Sequence, residues 1–229
     1  LGGGTLTALT LATTNTALTV NNAVTATNFF VTNSSVNGSG SISTTAGATV
    51  QCDTDQSLSV AFTGTGGISK SGLGTLMVFN GGDYSGNLVV NSGALATSGS
   101  SAISDNATLV LSNGTTLNLG GNETVGGLFA ALGSTNNLGA YTLTTGGNNQ
   151  SYTNGALTFG SGGIVKNGKG IMRMNQSGST YSGGFTLNDG EVEYTSSGTV
   201  TNGVLSNSVF GTGTLTLNGG TVRSSSDTS

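Results

Sequence analysis

Apolar and polar residues alternate along most of this chain, and the period of the alternation is two. The pattern is clearest in five segments, where Leu, Val or Ala alternates with Thr or Asn: residues 5–7, 17–20, 108–111, 116–119 and 214–217. Alternation over four to six residues is typical of short, half-buried strands. Windows of eleven residues or more that are free of Gly show no apolar stripe at helical spacing. The pattern therefore predicts an all-β protein with essentially no helix.

Asn-Gly dipeptides separate many of the predicted strands. Seven of them punctuate the sequence: Asn37-Gly38, Asn80-Gly81, Asn113-Gly114, Asn154-Gly155, Asn167-Gly168, Asn202-Gly203 and Asn218-Gly219. Asn and Gly both tolerate a positive φ, so each dipeptide makes a tight corner at little cost. Many short strands joined by tight corners are typical of a sandwich, a propeller or a solenoid.

An internal repeat favours the solenoid. Residues 64–79 read GTGGISKSGLGTLMVF, and residues 160–175 read GSGGIVKNGKGIMRMN. The match continues, one residue out of step, through Tyr84-Ser85-Gly86 and Tyr181-Ser182-Gly183. Strands that persist while insertions collect in their connections indicate a stack of coils, because each coil contacts only its neighbours.

The two copies, near residues 66–95 and 162–192, resemble the autotransporter-associated β-strand repeat. The resemblance rests on GG-I-x-K-x-G-x-G, an alternating strand, Tyr-Ser-Gly and a later Gly-x-[Leu/Val]. That repeat occurs in the passenger regions of large secreted and surface proteins of bacteria. The resemblance implies a right-handed parallel β-helix, export and exposure at the cell surface.

We therefore predict a single right-handed parallel β-helix over residues 1–229, with about ten coils of roughly 20–25 residues each. Right-handed winding is the expected hand for parallel crossovers. Thr, Ser and Asn should face outward and form ladders along the axis. The predicted inward positions are Leu6, Leu18, Val20, Ile68, Leu76, Val78, Leu109, Leu111, Leu117, Leu119, Leu157, Phe159, Ile164, Leu187, Val192, Leu215 and Leu217.

The amino-acid composition excludes several kinds of catalytic and binding site. The chain has 41 Gly, no Pro, no His and no Trp, with 5 basic and 9 acidic residues. Without His there is no Ser-His-Asp or Cys-His nucleophile system and no zinc site of the usual His-bearing kind. So few basic residues argue against nucleic-acid binding. The absence of Pro suits a parallel ladder, because each Pro would remove a backbone donor.

Acidic pairs offer the clearest candidates for a site. Asp53-x-Asp55 and Glu191-x-Glu193 have the spacing of a calcium site or of a carboxylate pair acting on a polysaccharide. In the repeat alignment the two Glu residues fall on Ala94 and Ala96, so we interpret them as outward, solvated residues. No third oxygen ligand lies near the Asp pair in sequence.

The residues that recur between copies are interpreted as structural, since a catalytic site is normally built once. Lys70 and Lys166 are expected to cover a corner, and Tyr84 and Tyr181 to pack at a turn. Arg173 is expected to lie outside. We therefore predict no catalytic, cofactor-binding or metal-binding residue.

Cys52 has two interpretations: a small buried apolar residue, which we favour, or an outward thiol that joins chains.

Two functions remain open. The first is a non-catalytic extracellular solenoid, serving as a surface stalk, an adhesin passenger segment or a fibre subunit that self-associates end to end or binds a host or matrix ligand. The alternative is a carbohydrate-binding or polysaccharide-cleaving β-helix. We expect a secreted or cell-surface location, no nucleic-acid partner and no membrane span.

Overall fold

The structure is a computed structural model that describes residues 6–225. Every regular element in this range is a strand, as the alternation predicted. The strands form a parallel β-solenoid of about nine turns, close to the predicted ten. The fold expected from the sequence is confirmed.

Three parallel sheets run along the stack. The first sheet contains thirteen strands: β1 (Leu6–Thr14), β3 (Ala23–Thr32), β5 (Ser41–Gln51), β7 (Ala61–Gly64), β8 (Ile68–Ser71), β10 (Asp83–Tyr84), β11 (Leu88–Val90), β13 (Thr108–Leu111), β16 (Gly127–Ala130), β19 (Tyr152–Asn154), β22 (Ile171–Met174), β24 (Glu191–Tyr194) and β28 (Thr221–Ser224). The second contains eight: β2 (Leu18–Thr19), β4 (Val36–Asn37), β6 (Gln56–Leu58), β9 (Thr75–Val78), β12 (Ala94–Thr97), β14 (Thr116–Asn118), β17 (Thr135–Asn137) and β20 (Leu157–Phe159). The third contains five: β15 (Glu123–Thr124), β18 (Leu143–Thr145), β21 (Ile164–Lys166), β23 (Phe185–Leu187) and β27 (Leu215–Leu217).

Equivalent positions of successive coils lie in register. In the first sheet, for example, Leu88 of β11 pairs with Ile68 of β8 below it and with Leu109 of β13 above it. Inward side chains thus form columns parallel to the stack axis. Eleven successive strands of the first sheet, about 4.8 Å apart, give a stack on the order of 50 Å long.

Most of the predicted inward residues are buried. Eleven of them are confirmed: Val20, Ile68, Leu76, Val78, Leu109, Leu111, Leu117, Leu119, Ile164, Leu187 and Val192. Leu18 is half-buried and packs against the core.

Three further predicted inward residues lie in the first or last described coil. Leu6, Leu215 and Leu217 are exposed. Their Cα partners are the buried Val24, Phe185 and Leu187, so they do stand in inward columns. Their exposure arises because no further coil of the described range covers them.

Leu157 and Phe159 lie on the outer side of their strand, so their predicted inward position is wrong. Both are exposed, and Thr158 between them is buried. Thr158 pairs with Asn136, which is also buried, in a column where Leu95 and Leu117 lie in the coils below. The period of two was correct here, but its phase was inverted because two polar residues occupy the inward column.

The two sequence copies lie on different sheets. Ile68 to Ser71 form β8 of the first sheet, whereas Ile164 to Lys166 form β21 of the third sheet. The repeated unit is therefore a strand, a corner and a second strand, and this unit occurs at two different corners of the solenoid.

Outward polar side chains form short ladders, as expected. Asn188 donates from Nδ2 to Asn167 Oδ1 at 2.8 Å, and Asn218 donates to Asn188 Oδ1 at 2.7 Å. Such ladders link three successive coils along the outside of the stack.

One antiparallel pair interrupts the parallel pattern of the described residues. Strands β25 (Thr199–Thr201) and β26 (Val204–Asn207) form a hairpin between β24 and β27. Its turn residues Asn202 and Gly203 have φ of 53° and 79°, as a tight two-residue hairpin turn requires. The hairpin lies on the outside of the stack, and Val200 and Val204 are 63% and 68% exposed.

Candidate functional site

Lys70 is fully buried, which is unusual for a lysine. It lies on the same side of β8 as Ile68, so its alkyl chain enters the interior between Val50 and Val90 of the neighbouring coils. Its Nζ donates to the carbonyl oxygens of Gly72 and Gly74, both at 2.7 Å, and of Ser92 at 2.8 Å. The first two belong to the corner that follows Lys70, and the third belongs to the next coil. The ammonium therefore joins two successive coils at their corner.

Lys166 repeats this arrangement in the third sheet. It is 2% exposed, and its Nζ donates to Asn167 O at 2.7 Å, Gly168 O at 2.5 Å and Asp189 O at 3.2 Å. Burial lowers the pKa of Lys70 and Lys166 below the ordinary 10.5. Nearby acidic groups oppose this effect on the pKa, namely Cys52, Asp53 and Asp55 for Lys70 and Asp189 for Lys166.

Glycines allow the carbonyls to converge on each ammonium. Gly72 has φ of 83°, and a Cβ at this position would lie 2.2 Å from Cys52 O of the coil below. Gly168, the equivalent residue, has φ of 67° and would approach Gly146 O equally closely. The structural role predicted for the recurring lysines thus fits the geometry, but they occupy the interior of the corner and do not cover it from outside.

Tyr84 and Tyr181 are both buried, as expected of residues that pack at a turn. Tyr181 donates from its hydroxyl to Val209 O at 3.3 Å, and Ser104 Oγ donates to Tyr84 O at 2.7 Å. Burial raises the pKa of both phenols above the ordinary range.

Glu123 is a buried acid that the sequence analysis missed. Its side chain, 1% exposed, accepts hydrogen bonds from Ala102 N at 3.0 Å and Ile103 N at 3.1 Å. These donors lie in residues 101–107, a segment without regular strand between β12 and β13. Burial raises the pKa of Glu123 to about 7, and Asp105 adds to the rise, while the two N–H donors lower it. A usable signal was present, because Glu123 has the same strand phase as the buried Val125.

Asp53 and Asp55 do not point to a common centre. Asp53 accepts from Gln51 Nε2 at 2.5 Å and from Asn33 Nδ2 at 3.1 Å, whereas Asp55 accepts from Thr75 N at 2.8 Å. The Asp53 carboxylate therefore bonds to the coil below, and the Asp55 carboxylate bonds to the coil above. In residues 6–225, no group of three or more His, Cys, Asp or Glu side chains is placed to hold a metal ion.

Glu191 and Glu193 lie on the outer surface, on either side of the buried Val192, as predicted. Arg223 of the next coil pairs with both carboxylates, at 2.8 Å from Glu193. Arg173, of the coil below, lies 3.4 Å from Glu193 and is exposed, also as predicted. These charges form a surface network across three coils.

Cys52 is fully buried, which excludes the outward thiol in this fold. Burial raises the pKa of its thiol to about 11, and Lys70 opposes the rise. The thiolate that would react or bridge to another chain is therefore disfavoured.

The outer face of the second sheet carries a shallow groove of about 460 Å³. It brings together one carboxylate, several hydroxyl or amide groups and one aromatic ring: Ser35, Asp55, Gln56, Ser57, Thr75, Met77 and Phe79. Phe79 is 45% exposed. Asp53 does not line this groove, so the structure does not join the predicted acidic pair in it.

No helix in the described part of the chain is long and apolar enough to cross a membrane.

Comparison with known proteins gives one relative. The adhesin BmaC autotransporter of Brucella suis biovar 1 (strain 1330) is 40% identical to this chain over 166 residues. The resemblance to autotransporter passenger β-helices is confirmed. The match covers 68% of this chain but 5% of the relative, so the chain corresponds to a short part of that protein. No family model matches the chain, and no solved structure matches it.

Proposed function

We propose that this chain is a non-catalytic stalk segment of a surface-exposed or secreted adhesin passenger. The observation that carries the proposal is that the ionisable side chains in the interior bond to the backbone. Lys70, Lys166 and Glu123 each form hydrogen bonds with backbone atoms of adjoining coils, and they do not meet in a shared cavity. The similarity to a protein named as an adhesin supports the same assignment.

The shape supports a spacer role. Parallel ladders continue through the first sheet from β1 to β28, so a pulling force along the stack is shared by rows of hydrogen bonds. Ion pairs and Asn ladders connect coils on the outside. Each coil depends on its neighbours for burial, as in other repeat proteins, and a regular stack holds its two ends apart.

An experiment on a cell surface tests the stalk. A domain of known ligand specificity would be displayed through this chain, and in parallel through a flexible Gly/Ser linker of the same residue number. We expect the solenoid to give more capture of ligand-coated beads than the linker, because a flexible chain leaves the domain close to the surface. Equal capture would contradict the stalk assignment. Strong adhesion of the chain alone to host-cell monolayers or immobilised matrix proteins would also contradict it, by making the segment itself adhesive.

A carbohydrate-binding function is the second candidate, because Phe79 and Asp55 share one groove. An exposed ring and flanking polar groups are the elements with which proteins bind sugars. A glycan array with the unaltered chain and Phe79→Ala tests it, together with a reducing-sugar assay of the unaltered chain and Asp55→Ala, since Asp55 is the carboxylate that lines the groove. Retention of a glycan that is lost in the Phe79 variant would favour this function over the stalk.

End-to-end self-association is a further part of the proposal. Leu215 and Leu217 are 41% and 58% exposed and would be covered by any coil stacked on them. Sedimentation of the chain and of Leu217→Asn tests this: we expect concentration-dependent association that the substitution weakens. Monomers at every concentration would refute it.

A further inference from the structure

The seven Asn-Gly dipeptides are chemically capable of the same reaction. The backbone nitrogen of Gly attacks Cγ of the preceding Asn, the new C–N bond closes a succinimide ring, and ammonia leaves. Water then opens the ring to aspartate or isoaspartate, so the net change is loss of ammonia and gain of water. Gly favours the reaction because no Cβ hinders the attacking nitrogen.

Six of the seven Asn side chains are held by hydrogen bonds that oppose this attack. The amide groups of Asn113, Asn167 and Asn218 bond to a neighbouring coil, those of Asn80 and Asn154 bond to a backbone N–H two residues on, and that of Asn37 accepts from two serines. Each bond must break before Cγ can approach the following nitrogen.

The attacking nitrogen is also engaged at four of these six sites. Gly81, Gly114, Gly155 and Gly219 each donate a backbone N–H to the carbonyl of another coil. A nitrogen in a ladder of this kind is fixed in direction and keeps its proton. At these four corners, both the Asn side chain and the attacking Gly nitrogen are therefore restrained against succinimide formation.

Asn202-Gly203 has neither restraint. It forms the turn of the β25–β26 hairpin, outside the stack, and both residues are exposed. Among residues 6–225, the Asn202 side chain makes no hydrogen bond, and none is made by the Gly203 N–H. A Cβ added at Gly203 would meet nothing within 4 Å, so the turn has open space around it.

We propose that Asn202 is the site at which this protein spontaneously deamidates in its folded state. The product places a carboxylate at the end of a hairpin that exposes three apolar side chains, Val200, Val204 and Leu205. The isoaspartate form also adds one atom to the backbone of the turn. The modification therefore changes both the charge and the geometry of the most exposed apolar surface of the hairpin.

The test compares the native and unfolded chain. The protein is incubated at mildly alkaline pH with and without denaturant, then digested with chymotrypsin, and each Asn-Gly peptide is followed by mass spectrometry and isoaspartyl methyltransferase labelling. In the native state we expect conversion to slow by at least about tenfold at the six restrained sites, and by less than about threefold at Asn202, because only the restrained sites require local opening.

Two variants serve as controls. Asn202→Gly keeps the positive φ of the turn and should abolish the conversion of this peptide without a change in the circular dichroism spectrum. Asn188→Ala removes the ladder partner of Asn167 and Asn218 and should accelerate both of those sites in the native state. Native protection of Asn202 as strong as that of Asn167 and Asn218 would overturn the proposal.

Discussion

Replacing Lys70 by Met separates the role of its ammonium from that of its alkyl chain. Met fills a similar volume with flexible methylene groups, so packing between Val50 and Val90 is largely kept. The substitution removes a charged donor that bonds to three carbonyls within 2.8 Å. The test therefore measures what the buried charge contributes at the corner.

The size of the expected loss of stability follows from the hydrogen bonds that the three carbonyls keep after the substitution. Gly72 O keeps a hydrogen bond from Ser92 Oγ at 3.2 Å, and Gly74 O keeps one from Ala94 N at 3.4 Å. Ser92 O has no other hydrogen bond among residues 6–225. Leaving one half-buried acceptor without a protein partner and weakening the hydrogen bonding of two others costs about 3–5 kcal/mol. Relief of the burial cost, which also lowers the pKa of Lys70, offsets part of this, so we expect a net loss of about 2–3 kcal/mol.

Urea unfolding followed by circular dichroism measures the global change, and hydrogen exchange of peptides from the corner and the next coil locates it. Lys169→Met is the matched control, since Lys169 is exposed, and it should change stability by less than about 0.5 kcal/mol. Lys166→Met should resemble Lys70→Met, because the same geometry recurs there. A Lys70→Met protein as stable as the unaltered chain would refute the reasoning, because the ammonium would then contribute no net stability.

Three further predictions concern other buried groups. Burial raises the pKa of Glu123 from 4.5 to about 7 in the folded state, so the folded protein holds this proton more tightly than the unfolded chain. The resulting stabilisation is complete below pH 4.5 and is lost as the pH rises through about 7. We expect the free energy of unfolding to fall by about 2–4 kcal/mol over this range. Urea titrations across this range should show the fall in the unaltered chain and not in Glu123→Gln. Asn136→Leu should stabilise by about 1–2 kcal/mol, because the buried Oδ1 of Asn136 has no hydrogen-bond partner in the described range; a lower urea midpoint would contradict this. Cys52 should resist maleimide labelling in the native state and react quickly in urea, since its thiol is buried and its pKa is raised to about 11; rapid native labelling would contradict the buried position.

The candidate sites were predictable in part. Recurrence of Lys70 and Tyr84 in the second copy predicts structural roles, and the burial of both side chains is consistent with that interpretation. The alternation even contained the information that Lys70 faces inward, since it shares the phase of Ile68, but a charged residue is rarely assigned to a core. Glu123 was missed for the same reason. The burial of Lys70 and Glu123 depends on hydrogen bonds to backbone atoms of neighbouring coils, and a local sequence pattern does not reveal those atoms.

The sequence by itself determined the strand period, the corners and the stacking of coils, because these depend on local alternation, on Asn and Gly at turns and on a repeat. Tertiary structure decided the sheet on which each segment lies. Leu109 and Leu128 are paired at a spacing of 19 residues, whereas Val192 and Val222 are paired at a spacing of 30. Because the coils are unequal in length, the two copies occupy different corners. Leu157 and Phe159 face outward for a separate reason, since the buried Asn136 and Thr158 occupy the inward column of their sheet. Register is set by contacts between coils, and those contacts exist only in the folded stack.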